Sequence, residues 1–433
     1  MTVTFKDILA ASDIIRGLAS DTSFRQSRSL SELVGANIVL KFENQQFTGS
    51  FKERGALVKL LSLTPTQREK GIIAMSAGNH AQAVAYQAER LGIPATIVMP
   101  QFTPNIKVER TRAFGAEVIF HGETLDDSIA LGQELARERG LQTVHPYDDE
   151  RIIAGQGTIA LEMLDAYPDL DALLVPVGGG GLISGNAIAA KSLRPNIEIV
   201  GVQTKRFPST FQALRGEPVT CGNSTIAEGI AVKSPGQLTL PLVREWVDEI
   251  VLVDEGEIEA AVGLLLEREK TVVEGAGAVG VAAVMNYRDR FVGRSVGIIL
   301  SGGNIDLPIL SRIVQRGLVR SGRLIRLDVD VRDLPGGLAD VASCIGDAGA
   351  NIVEVQHQRV FTGLPLQSVS IQFVLQTRGL EHVERIVAAL TEKGYVIHIP
   401  QQADWQTSRV AGSAPNTISG LKYLAPAIPL PSR

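Results

Sequence analysis

The sequence predicts an α/β body of parallel strands followed by a small β-α-β-β-α-β unit, and three observations carry that expectation. Short β-rich runs at residues 38–42, 71–75, 95–98 and 117–120 alternate with helical segments at 53–61, 80–91, 107–114 and 124–139. Such alternation is the pattern of parallel strands joined by crossover helices. A second series follows, with helices at 153–166, 182–193, 238–245 and 255–269 and strands at 172–176, 198–203 and 295–300. After Gly322 the rhythm changes: residues 324–331 alternate with period two, as a half-exposed strand does. A helix over 337–348, strands over 351–360 and 366–376, a helix over 380–393 and a strand over 395–399 complete a ferredoxin-like split unit. The expected boundaries are therefore 1–322 for the body and 323–400 for the second unit. Residues 401–433, rich in Pro, Ser and Ala without periodicity, read as a loosely held tail.

Composition narrows the function classes. With 433 residues, 45% hydrophobic and 21% charged, and a net charge of −5, the chain is expected to be a soluble globular protein with ample core. No apolar run is long enough to span a bilayer and the first residues lack the order of a secretory signal, so a cytoplasmic location is expected, without a membrane partner. Cys221 and Cys344 are too few and too isolated for a disulfide framework or a zinc site, and the six histidines show no ligand spacing, so no metal is expected. Mild acidity and 5% aromatic content argue against nucleic acid.

From the N-terminus, an apolar-periodic helix is expected over residues 5–18, then an irregular link and a short helix around residues 30–33 ended by Gly35. After the strand at 38–42 comes Thr48-Gly49-Ser50-Phe51-Lys52-Glu53-Arg54-Gly55. Ser50 is expected to cap a helix whose third residue is Glu53, which puts Lys52 in the first helical turn. The positive end of the helix dipole favours a neutral amine there over an ammonium. Taken alone, Lys52 reads as a surface lysine, and other loops must supply the reason to read it otherwise.

Three loops do so. Ser76-Ala77-Gly78-Asn79-His80 joins a strand to a helix, in the crevice where α/β sheets hold ligands, and its free N–H groups suit a carboxylate or a phenolic oxygen. Gly178, Gly179, Gly180 and Gly181, followed by Leu182, lie between a strand and an apolar helix, a bare backbone suited to a phosphate. Ser301 ends the strand at 295–300 and points its hydroxyl into the same crevice. Gly275-Ala276-Gly277-Ala278-Val279-Gly280 fits a dinucleotide fingerprint but follows a helix instead of a strand, so it is read as tight helix packing. One ligand uses all four loops: a small phosphorylated aromatic cofactor held covalently by Lys52, at a ring oxygen by Asn79, at its ring nitrogen by Ser301 and at its phosphate by the glycines. Pyridoxal 5′-phosphate has that chemistry.

These motifs, in this order and together with Ala154-Gly155-Gln156-Gly157-Thr158, closely resemble those of the threonine dehydratase (threonine ammonia-lyase) family. Its members are pyridoxal-phosphate enzymes of the tryptophan-synthase-β fold, fold type II, and the resemblance covers about residues 5–320. It implies a two-lobed catalytic domain with a small lobe, about residues 44–150, inserted in the large one. It also implies that Lys52 is the Schiff-base lysine, Phe51 a ring-packing residue, Asn79 the partner of the 3-hydroxyl, Gly178–Gly181 with Leu182 the phosphate cup and Ser301 the partner of the pyridine nitrogen. Ser76, Ala77, Gly78, Asn79 and His80 would hold the substrate carboxylate. A neutral serine opposite the ring nitrogen should leave the ring unprotonated, which suits elimination.

Residues 324–400 resemble an ACT domain, an amino-acid-sensing module, with Asp333, Leu334, Gly336 and Leu338 in the effector loop. The expected reaction is dehydration and deamination of L-threonine, and of L-serine, to 2-oxobutanoate or pyruvate and ammonia, with isoleucine or valine as effector, a place in isoleucine biosynthesis and a dimeric or tetrameric homo-oligomer. Other readings are a dehydratase of 3-hydroxyaspartate or phenylserine, a serine racemase, and an amino-acid sensor with a vestigial catalytic half. Two departures bear on these. Racemases that resemble this chain carry serine where Ala77 stands, so dehydration is favoured. They also bind a divalent cation through carboxylates in a stretch where this chain has Gln203, Phe207 and Ser209.

Overall fold

The computed structural model describes residues 3–359 and 363–399. The expected tail at 401–433, and Val360 at the end of one expected strand, lie outside the described residues. Contacts divide the chain into two compact units that meet in sequence at Ser321 and Gly322.

The first unit contains β1 (Phe24–Gln26), β2 (Asn37–Lys41), β3 (Ile72–Met75), β4 (Ala95–Met99), β5 (Glu117–Phe120), β6 (Gln142–Thr143), β7 (Ala172–Pro176), β8 (Glu198–Thr204), β9 (Glu249–Val253) and β10 (Ser295–Ile299). Six of them form one sheet in the order β1-β2-β10-β7-β8-β9, parallel except for β1, which runs antiparallel to β2. The other four form a smaller parallel sheet, β5-β4-β3-β6, which the chain completes between β2 and β7. Strands such as β7 are Val- and Leu-rich and buried along their whole length, because helices cover both faces. Brief β1 and β6 and the run β9 were not anticipated, and neither were helices Pro65–Lys70, Ser209–Leu214 and Leu307–Arg320. β1 and β6 are too short to show a period.

Two expectations at helix starts and ends need correction. The helix expected over 255–269 is α-helical only over Glu255–Leu264, passes into a π-turn at Leu265–Glu269 and breaks at Lys270, a left-handed residue with φ 55°. Residues 271–274 then run without regular secondary structure to helix Gly275–Asn286. The expected capping box at Ser50 is also absent. Phe51 already has helical angles, so helix Lys52–Leu61 starts one residue late for Ser50 to cap it. The Glu53 carboxylate reaches further back, to the N–H of Thr48, while Ser50 forms a bridge with Gly302.

The helix that carries Lys52 is held close to its neighbour by paired glycines. A Cβ on Gly155 would lie 2.7 Å from the Cα of Gly55, so any larger residue would push the lysine helix off helix Glu150–Ala166. Beneath it lies a buried ion network. The Arg54 guanidinium meets both oxygens of Glu43 and both of Glu162, and Lys41 Nζ lies 2.7 Å from Glu162.

The second unit contains β11 (Leu324–Arg332), β12 (Asn351–Gln358), β13 (Ser368–Gln376) and β14 (Val396–His398), with helices Gly337–Asp347 and Leu380–Glu392. Its antiparallel sheet runs β12-β13-β11-β14, the β-α-β-β-α-β order read from the sequence. Ile325, Leu327, Val329 and Val331 alternate inward along β11 onto a core with Ile371 and Phe373. Among the described residues no helix is long and apolar enough to cross a membrane.

Candidate active site

Four loops of the first unit leave the carboxyl ends of parallel strands and converge on a cavity of about 730 Å³. Such a crevice is where open α/β sheets place ligands. The loop after β2 delivers Phe51 and Lys52, the loop after β3 Ser76, Ala77, Gly78, Asn79 and His80, the loop after β7 the four glycines and Leu182, and the loop after β10 Ser301. The structure thus brings together every residue of the first unit that the sequence had marked.

Lys52 Nζ donates to the carbonyl of Pro146 at 2.7 Å and lies 5.0 Å from the centre of the Phe51 ring. Burial pushes its pKa down to about 8, and the nearby Glu274 carboxylate offsets part of that shift. The backbone N–H groups of Gly178, Gly179, Gly180 and Gly181 find no acceptor among the described residues. They open onto the cavity at the start of helix Gly181–Leu193. Tight walls shape this cup: Gly180 has φ 95°, a Cβ there would lie 2.7 Å from Thr239, and a Cβ on Gly179 would lie 2.3 Å from the Tyr147 ring. An anion with several oxygens suits that cradle.

Asn79 is held on both sides, its Nδ2 donating to Glu274 at 2.7 Å and its Oδ1 accepting from Asn304 at 2.8 Å. His80 lines the cavity but donates a ring N–H to the Val144 carbonyl at 2.8 Å, and burial lowers its pKa to about 3, so the ring stays neutral. Ser76 Oγ accepts from the N–H of Gly78 at 3.2 Å and so shapes the turn that frees the following N–H groups. Gln203 lies buried, its amide bridging the N–H of Phe211 and the carbonyl of Val177.

Sequence reasoning missed Pro146, Tyr147 and Glu274. Burial raises the Glu274 carboxyl to about 7, against the pull of the Asn79 hydrogen bond. Its one sequence signal is a carboxylate among apolar residues directly before a glycine-alanine helix. A lysine amine of lowered pKa, a phosphate-sized cup, an amide and a serine hydroxyl on one cavity together fit pyridoxal 5′-phosphate.

Asp333, Leu334 and Gly336 lie in the second unit, in the turn between β11 and helix Gly337–Asp347, and Leu338 lies in that helix's first turn. The Arg359 guanidinium lies 3.1 Å from Asp333 and holds its carboxyl below the usual range, while Leu334 and Leu338 are exposed.

A family model for pyridoxal-phosphate-dependent enzymes matches residues 15–302. An L-threonine ammonia-lyase of Thermotoga maritima is 45% identical over 400 residues, 92% of this chain and 99% of that protein. Among solved structures, a T.th. threonine deaminase aligns with a TM-score of 0.67 and 40% identity, over 70% of this chain and 99% of its own. The serine racemase of Dictyostelium discoideum aligns with a TM-score of 0.67 and 37% identity, over 71% of this chain and 100% of its own.

Proposed function

The chain belongs to the pyridoxal-phosphate-dependent enzyme family, and from that premise we propose that it is a threonine ammonia-lyase, converting L-threonine, and also L-serine, to the 2-oxoacid and ammonia. When bound, pyridoxal phosphate supplies a carbonyl to link the substrate amine and a conjugated ring to accept electrons from the α-carbon. The chain's own residues do the rest.

One observation carries the reading: the cavity offers a single lysine able to act as a base. Lys52 has its pKa lowered to about 8, whereas Lys107, the other lysine lining the cavity, is paired with Glu228 at 2.8 Å and its pKa is raised. Once freed, the Lys52 amine would take the α-proton, and the ammonium so formed would return a proton to the β-hydroxyl, which departs as water. Hydrolysis then releases ammonia and the 2-oxoacid. The N–H groups opening helix Asn79–Leu91 are placed to hold the substrate carboxylate. The glycine N–H groups would hold the phosphate, Asn79 the ring oxygen and Ser301 the ring nitrogen.

The methyl of Ala77 supplies no second base, which favours elimination over racemisation. Ammonia release from threonine, serine and hydroxyaspartate tests the assignment. It fails if purified protein with the cofactor releases no ammonia from threonine, or if Lys52→Ala retains activity.

The second unit, with its β-α-β-β-α-β order, is an ACT-like sensor in this reading, and the alignment with the Thermotoga relative runs past Ser321. Isoleucine or valine would bind at Asp333, Leu334, Gly336 and Leu338 and alter the turnover of a cytoplasmic homo-oligomer serving isoleucine biosynthesis. Calorimetry of the full chain with either amino acid tests this, and absence of heat with both refutes it.

A further inference from the structure

We propose that Glu274 is a positioning residue for this reaction: it fixes the Asn79 amide so that the remaining Nδ2 hydrogen is presented to the ring oxygen of bound pyridoxal phosphate. The proposal rests on the ammonia-lyase reading. It starts from what a primary amide can do: its oxygen accepts, and its nitrogen donates two hydrogens. Asn79 Oδ1 is taken by Asn304 Nδ2 at 2.8 Å, and Asn304 Nδ2 also donates to the Thr48 carbonyl at 2.7 Å. Asn304 therefore presents a donor face to Asn79. On the other side Glu274 Oε1, an acceptor, receives one Asn79 hydrogen at 2.7 Å.

Turning the Asn79 amide over would set its oxygen against the carboxylate and its NH₂ against another NH₂. Above about pH 7, where Glu274 is ionised, both contacts would be repulsive, so the two neighbours select one orientation. The second Nδ2 hydrogen of Asn79 has no acceptor among the described residues, and the amide lines the cavity. Glu274 is itself anchored, its N–H donating to the Gly302 carbonyl at 3.0 Å at the start of helix Gly275–Asn286. A ring of bonds thus runs from the lysine loop through Asn304, Asn79 and Glu274 to Gly302, one residue beyond Ser301. Glu274 needs to touch no reacting atom to act. Its side chain is long enough to reach from the helix start, and an amide isostere would present the same acceptor.

The experiment titrates apo-protein with pyridoxal 5′-phosphate and with 3-deoxypyridoxal 5′-phosphate, which lacks the ring oxygen. Kd and the position of the visible band are read at pH 9, above the Lys52 inflection, for wild type, Glu274→Ala, Glu274→Gln and Asn304→Ala. With the natural cofactor, Glu274→Ala and Asn304→Ala are expected to bind about tenfold more weakly, the scale of one hydrogen bond to a charged or strongly polar group. With the deoxy analogue both should match wild type, and Glu274→Gln should match wild type with either compound. Equal loss for both compounds, no loss for either, or a Glu274→Gln variant as weak as Glu274→Ala overturns the proposal. Asn304→Ala keeps the test decisive if Glu274→Ala does not fold. Failure of the enzyme reading looks different, because wild-type protein would then give no visible band with either compound.

Discussion

Lys52 Nζ lies 2.7 Å from the carbonyl oxygen of Pro146, a contact that holds the amine against the cavity wall. An amine attacks a carbonyl only in its neutral form. With the pKa pushed down by burial to about 8 from the usual 10.5, the neutral fraction climbs steeply below pH 8 and levels off above it. The rate at which apo-protein takes up pyridoxal phosphate should therefore rise about tenfold per pH unit below that point and plateau above roughly pH 9. Absorbance stopped-flow measures this, and an inflection near pH 10 would refute it. Because the Glu274 carboxylate raises the lysine pKa, Glu274→Gln should move the inflection to lower pH.

Ala77→Ser restores a hydroxyl on the loop after β3. Chiral chromatography of L-serine reactions is expected to show D-serine formation that wild type lacks, at a rate well below ammonia release. No D-serine above the wild-type level would show that the Ala77 position does not decide between the two reactions.

Two glycine substitutions should part company. Gly179→Ala pushes a methyl into the Tyr147 ring and should cost at least tenfold in cofactor affinity. Gly317→Ala, inside helix Leu307–Arg320 with open space around its Cβ position, should instead stabilise the protein by about 0.5–1 kcal/mol. Fluorescence titration and urea unfolding give the two numbers. Equal effects of the pair would mean that the cup is not shaped by that ring.

Removing Arg54 should be the most damaging of the single changes. Burial raises the Glu43 carboxyl, but the Arg54 guanidinium and Lys41 ammonium more than offset it, and the net pKa lies below the usual value. A carboxylate with a lowered folded-state pKa stabilises the protein above its unfolded pKa, and that contribution is lost as pH falls through the folded value. Arg54→Met leaves Glu43 buried beside one cation, at an expected cost of about 3–5 kcal/mol at pH 7. The variant's unfolding midpoint should also change less between pH 6 and pH 3 than that of wild type.

Much of the site was legible because its parts sit at strand ends, where short apolar runs and glycine-rich turns leave a local signature. Asn79, the glycines Gly178–Gly181 and Ser301 had such a signature, and Lys52 became readable only in their company. Pro146 and Glu274 were not, because they act across the cavity from irregular or extended chain, and neither periodicity nor turn chemistry marks such a position. The Ser50–Glu53 cap misled for a related reason. Its spacing was right, but Glu53 found a better partner in the N–H of Thr48, a choice set by how the loop closes against Gly302. In the second unit the period-two run of β11 gave its burial pattern directly, since both the alternation and the core face are local properties.

The bond from Asn304 Nδ2 to the Thr48 carbonyl joins residues 256 apart in the chain. A ribosome finishes the lysine loop long before it makes the loop that completes the pocket around it, so the nascent protein cannot hold its cofactor until the first unit is nearly all synthesised. Closure over so long a separation is slow compared with local helix formation. The surroundings of the reactive amine are thus complete only 256 residues after the lysine loop, and a fragment cut short before Asn304 would carry the lysine without this bond.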